Sequence, residues 1–165
     1  MSQPRILVVD DDIALCGLIR EALGLEGILV EEAHHVVEAD RILLNRVPDA
    51  IVLDIGLPGI DGLFYASRLR ENPKTARLPI IAISGSEANS ASAVAAGATA
   101  FVHKPFDPLE LLAQIERLIG VPPLGHAFGP DVPDHMSAEH LAELETLIES
   151  LTAPAKPGWP ATVTV

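Results

Sequence analysis

Three acids in a row, Asp10-Asp11-Asp12, follow the apolar run Arg5-Ile6-Leu7-Val8-Val9. A fourth, Asp54, closes the run Ala50-Ile51-Val52-Leu53. Ser84 closes Leu78-Pro79-Ile80-Ile81-Ala82-Ile83, and Lys104 follows Thr99-Ala100-Phe101-Val102-His103. Each polar group stands at the end of a short apolar stretch rich in β-branched residues, the pattern of a strand buried on both faces. Parallel strands bring such ends to one side of a sheet. Asp10, Asp11, Asp54, the Ser84 hydroxyl and the Lys104 ammonium then converge on one crevice, where open α/β sheets bind ligands. Crowded carboxylates raise one another's pKa unless a cation joins them. Mg²⁺ suits the site, being a hard cation that takes one or two carboxylates, some waters and a phosphate oxygen. The chemistry favoured is phosphoryl transfer onto Asp54. Its oxygens would be neutralised by the metal and Lys104 and would accept a hydrogen bond from Ser84.

The elements that must position these groups read as five alternations of strand and helix. Asp12 caps a helix from Ile13 to about Glu26, which Gly27 stops. Ile28 to Ala33 is a more polar strand suited to an edge, and Val36 to Arg46 is a helix broken by Pro48. The Asp54 strand runs into the loop Ile55-Gly56-Leu57-Pro58-Gly59-Ile60-Asp61, where Asp61 reads as a turn former before a helix from Gly62 to Glu71. After the Ser84 strand, Gly85-Ser86 leads to an Ala-rich helix ending near Ala96. Asp107 caps a fifth helix with Pro108 at its first position, running to Ile119 and stopped by Gly120. This order implies an α/β fold, a parallel sheet with helices on both faces.

The motifs VVDDD (Val8 to Asp12), VLDIGLPGIDG (Val52 to Gly62), ISGS (Ile83 to Ser86) and FVHKPF (Phe101 to Phe106) together resemble the receiver domain of two-component response regulators. The resemblance covers residues 5 to 120. It implies a doubly wound, flavodoxin-like five-stranded sheet of order 2-1-3-4-5. It implies that Asp54 is the phosphoacceptor and that Asp10, Asp11, Asp54 and the Gly56 backbone carbonyl hold Mg²⁺. Ser84 takes the place that follows the phosphoryl group, and Lys104 pairs with its oxygens. The Lys104-Pro105 bond is implied to be cis, and Phe101 is the aromatic switch. The implied partners are a histidine kinase or histidine phosphotransfer protein as donor and a downstream protein as target. Output would pass through the surface of helix four, strand five and helix five, which could also support a homodimer.

Composition narrows the alternatives. A net charge of -12 argues against a nucleic-acid surface and an anionic membrane surface. No run of about 18 apolar residues reads as a membrane span. The single Cys16 lies in an apolar helical pattern and reads as a core residue, and the expected location is cytoplasmic. His34 and His35 lack nearby ligand spacing, and His103 reads as lying on a partly exposed strand face.

Past the domain at residues 1–120, seven of the fourteen prolines lie from Pro122 onward. Residues 121–136 read as a Pro-rich linker, and residues 137–152 as a helix capped by Ser137 with the stripe Leu141, Leu144, Leu147, Ile148, Leu151. Residues 153–165 read as a disordered tail. The tail helix offers a second route to a homodimer. Two rivals stand beside the switch. One is a Mg²⁺-dependent phosphatase with an Asp nucleophile, but Gly56 stands where its general acid belongs. The other is a degenerate receiver acting as a scaffold through the tail helix. The expectation is a protein that is not an enzyme beyond its own phosphorylation and dephosphorylation.

Overall fold

A computed structural model describes residues 2–86 and 89–120. The expected linker, amphipathic helix and tail, residues 121–165, lie outside the described residues. The elements are β1 (Arg5–Val9), α1 (Ile13–Leu25), β2 (Leu29–Ala33), α2 (Val36–Asn45), β3 (Ala50–Asp54), α3 (Gly62–Glu71), β4 (Ile80–Ser84), α4 (Ser90–Ala95), β5 (Ala100–His103) and α5 (Pro108–Ile119). The strands form one parallel sheet in the order β2-β1-β3-β4-β5. The more polar β2 is an edge strand, as its composition predicts.

The side-chain period of two divides the core between the faces of the sheet. Leu7, Val9, Ile51, Leu53, Ile80 and Ala82 face α2, α3 and α4. Ile6, Val8, Val52, Ile81, Ile83 and Val102 face α1 and α5. A central strand in such a sheet has no wet face, so β3 and β4 are buried from end to end.

Helix starts are set by short acids. Asp12, Asp61 and Asp107 each accept a hydrogen bond from a backbone N–H in the first turn of α1, α3 and α5. Asp61 is thus the N-cap of α3. Gly27 and Gly120, both at positive φ, end the first and last helices. The chain turns back at β1: β2 lies on one side of it and β3 on the other. That reversal opens a crevice beyond the carboxyl ends of β1 and β3. Asp10 follows the first of these strands and Asp54 ends the second.

Candidate functional site

Asp10, Asp54 and Lys104 meet in this crevice. The Lys104 Nζ donates to Asp10 Oδ2 at 2.8 Å and to Asp54 Oδ2 at 3.2 Å. The other carboxylate oxygens are held by the loops that follow them. Asp10 Oδ1 accepts from the Asp12 N–H at 2.9 Å, and Asp54 Oδ1 accepts from the Gly56 N–H at 2.8 Å. Asp10 and Asp54 are buried, while Asp11 is exposed beside them.

Burial pushes the Asp10 carboxyl above its ordinary range, against the Lys104 and Asp12 hydrogen bonds that favour the ion. The negative charge of Asp54 raises it further but ranks behind burial. The expected mutual raising by carboxylates is thus present at Asp10, with loss of water the larger effect there. Burial pulls the Lys104 ammonium down, but the hydrogen bond and charge of Asp10, with those of Asp54, outweigh it and raise its pKa.

One oxygen from each of Asp10, Asp11 and Asp54 lies within 4.8 Å of the others. Three hard oxygen donors at this spacing, one of them costly to keep ionised without a cation, fit Mg²⁺. Gly56 is exposed two residues after Asp54, in the loop where its carbonyl was expected to contribute.

Ser84 is buried at the end of β4, the strand beside β3. Its Oγ accepts from the Ser86 N–H at 3.1 Å and from Asn89 Nδ2 at 3.0 Å. Both bonds use oxygen lone pairs, so the hydroxyl proton is not committed to either. Phe101, on the edge strand β5, is partly buried against the face shared with α2, α3 and α4. The Lys104-Pro105 bond is cis.

Sequence reasoning missed several supports of the site. Asn89 is one. His34 is another: its Nδ1–H donates to the Asp10 carbonyl at 3.2 Å, and Cys16 Sγ donates to the same oxygen at 3.4 Å. His103 Nε2 donates to the Gly85 carbonyl at 3.2 Å, and the Lys104 N–H to the Ser84 carbonyl at 2.7 Å. The Asp10 carbonyl is therefore tied to the His34 side chain just past β2 and to Cys16 on α1, and the Gly85 carbonyl to the His103 side chain of β5. Gly62 is a further omission, since its missing side chain leaves room for the Asp54 and Ile55 backbone.

Such a sheet, with acids, a hydroxyl and a lysine at its strand ends, is that of a phosphoryl-accepting signalling domain. Residues 6–116 match the response regulator receiver domain family, and the chain belongs to that family. It is 40% identical over 118 residues to the phosphate regulon transcriptional regulatory protein PhoB of Rhizobium meliloti, covering 70% of this chain and 52% of that protein. It is 37% identical over 115 residues to the response regulator MprA of Mycobacterium ulcerans, covering 70% of this chain and 50% of MprA. The chain thus spans about half the length of these relatives. Among solved structures it resembles a putative response regulator from Chloroflexus aurantiacus, with a TM-score of 0.68 and 31% identity over 72% of this chain and 99% of that one. It also resembles the chemotaxis response regulator CheY4 of Vibrio cholerae, with a TM-score of 0.66 and 27% identity over 71% of this chain and 99% of that one. Receiver domains are signalling switches that use Mg²⁺ at an acidic aspartate cluster. Among the described residues no helix is long and apolar enough to cross a membrane.

Proposed function

We propose that this chain is a phosphorylation-dependent switch in which Asp54 accepts a phosphoryl group from a histidine kinase or histidine phosphotransfer protein. The observation that carries this reading is the Lys104 ammonium bridging Asp10 and Asp54 in a crevice that also holds Asp11. Asp10, Asp11, Asp54 and the Gly56 carbonyl would hold Mg²⁺, which when bound neutralises charge on the phosphoryl oxygens.

The chain's own groups do the rest. Asp54 Oδ1 is anchored by the Gly56 amide, which leaves Oδ2, on the Lys104 side, as the attacking oxygen. The donor's bond to phosphorus breaks as the Asp54 O–P bond forms, and the leaving imidazole keeps the electron pair. Lys104 then pairs with a phosphoryl oxygen, and Ser84 supplies its uncommitted hydroxyl proton to another. Movement of Ser84 would alter the packing of Phe101 and the surface built from α4, β5 and α5. Val94 on α4 and Leu109 on α5 are exposed apolar residues available to a protein partner or a second copy. This is a two-state element biased by a local change of charge.

The chain is not read as a turnover enzyme. Gly56, two residues past the nucleophile, has no side chain to serve as a general acid. Incubation with acetyl phosphate and Mg²⁺ tests the reading by mass spectrometry. The parent should gain about 80 Da on Asp54, and Asp54→Asn should stay folded and gain nothing. Labelling of the variant to the parent's level refutes the assignment, and many turnovers of a phosphate ester per Asp54 favour the phosphatase.

A further inference from the structure

We propose that Asn89 is a positioning residue that holds the Ser84 hydroxyl in its unphosphorylated place and must release it when Asp54 is phosphorylated. This rests on Asp54 as phosphoacceptor and Ser84 as the group that follows the phosphoryl. Two independent observations carry it.

The first is the bond itself. Asn89 Nδ2 donates to Ser84 Oγ at 3.0 Å, from five residues further along the chain. With the Ser86 N–H at 3.1 Å, it gives the buried Ser84 oxygen two donors, both from the β4–α4 connection. Among the described residues, Asn89 is the side chain recorded on that oxygen. Breaking a part-buried hydrogen bond of this kind sets a threshold on any movement of Ser84 towards a neighbour.

The second is where Asn89 stands. It stands at the N-cap of α4, a position for which Asn is among the best residues because its side-chain oxygen accepts a first-turn N–H. The caps of α1, α3 and α5, Asp12, Asp61 and Asp107, make that bond, and His35 at α2 accepts the equivalent N–H through its Nδ1. Asn89 makes no side-chain cap bond, and its φ of -83° and ψ of -7° are helical, not the extended backbone of the other four caps. The backbone at Asn89 continues a helical turn that its own N–H closes on the Ser86 carbonyl, and its side chain is directed back to Ser84. The strand-five contacts to this connection, His103 to the Gly85 carbonyl and the Lys104 N–H to the Ser84 carbonyl, hold backbone and leave the Ser84 side chain to Asn89.

The test is the affinity of the full chain for beryllofluoride in saturating Mg²⁺, followed by the amide resonances of Gly85 and Ser86. Beryllofluoride bound to a carboxylate stands in for the phosphoryl group. Asn89→Ala should bind it about two- to tenfold more tightly than the parent, the range that one hydrogen bond covers. Mg²⁺ affinity without beryllofluoride should be unchanged. In a Ser84→Ala background the same substitution should give no gain, because Asn89 acts through the hydroxyl. A purely structural role for Asn89 would move unfolding stability and leave this difference between backgrounds at zero. Equal or weaker binding by Asn89→Ala overturns the proposal, as does an equal gain in the Ser84→Ala background. A parent that binds no beryllofluoride overturns the phosphoacceptor reading, and this proposal with it. A parent that binds, beside a variant that binds no better, overturns the proposal alone.

Discussion

Gly62→Ala and Gly17→Ala make the same chemical change in two helices and should move stability in opposite directions. Ala is the better helix former by up to about 1 kcal/mol, so propensity favours both substitutions. Gly17 lies in α1, and a Cβ there would meet nothing within 4 Å. That variant should gain up to about 1 kcal/mol. Gly62 opens α3, and its Cβ would lie 2.4 Å from Ile55 Cα, 2.8 Å from the Asp54 carbonyl oxygen and 3.0 Å from the Ile55 carbonyl carbon. Comfortable contacts between such atoms are about 3.5 Å, so roughly 1 Å of relief is needed. All three obstructing atoms are backbone and cannot turn aside as a side chain would. Overpacking costs about 1–3 kcal/mol, and three backbone contacts this short put it at the upper end, so subtracting a propensity gain of about 1 kcal/mol leaves a net loss of about 2 kcal/mol. With a typical urea slope of about 2 kcal/mol per molar, the unfolding midpoint should fall by about 1 M. The segment that must give way carries Asp54, so Mg²⁺ affinity should drop by about tenfold or more, the usual penalty for disturbing the support of a metal ligand. Gly17→Ala should leave Mg²⁺ affinity alone. A Gly62→Ala protein as stable as the parent, or a destabilised one with unaltered Mg²⁺ affinity, would refute the reasoning.

Arg70 donates to the carbonyls of Gly97, Thr75, Ala76 and Leu78 and to Thr99 Oγ1. Arg70→Lys keeps the charge but cannot span these acceptors, and urea unfolding should show a loss of about 2 kcal/mol; a loss within error of zero would contradict this. The Cys16 thiol is buried, and its pKa is pushed up to about 12, first by burial and then by the charges of Asp10, Glu32 and Asp12. A thiol reagent should therefore label the folded domain only as it unfolds, and labelling faster than unfolding would show the site to be open. The folded Asp10 carboxyl titrates above its ordinary 3.8, so the native state binds that proton more tightly than the unfolded chain. Its ionisation thus costs stability that grows as pH rises from 3.8 through the folded pKa, and without Mg²⁺ the Asp10→Asn variant should gain on the parent over that window. A stability difference that stays flat or narrows with rising pH would contradict the sign.

The sheet and the acids were legible in the sequence for one physical reason: each leaves a mark at its own position. Apolar runs mark β1, β3 and β4, and Asp12, Asp61 and Asp107 mark their helices because a short acceptor suits a free N–H. Asp10, Asp54 and Lys104 stand out because charges beside a core require partners, and those partners turned out to be one another. The reading failed where the partner is a backbone carbonyl. Arg70 and His34 reach carbonyls on other elements, and a carbonyl carries no letter in the sequence. Element ends slipped for a related reason. Ile28 was expected in β2, but its N–H closes α1 on the Leu23 carbonyl, so the strand starts at Leu29. Thr99 was expected in β5, but its hydroxyl accepts from the Ile80 N–H and serves Arg70.

The charge balance of the crevice bears on why Ser84 should answer the phosphorylation of Asp54. Asp10, Asp11 and Asp54 carry three negative charges and Lys104 one positive, -3 + 1 = -2, which a divalent cation neutralises. Phosphorylating Asp54 removes one carboxylate charge and adds a group of about -1.5 to -2. Up to one negative charge is then left without a cation. Lys104 is already shared between two acids, and the Gly56 and Asp12 amides are already bound to carboxylate oxygens. Among the described residues, the Ser84 hydroxyl is a group beside β3 whose proton neither of its two bonds uses. Its oxygen accepts one bond from the Ser86 N–H and one from the Asn89 side chain. The added charge can therefore draw on the Ser84 hydroxyl proton, on a strand that adjoins β5 and leads towards α4.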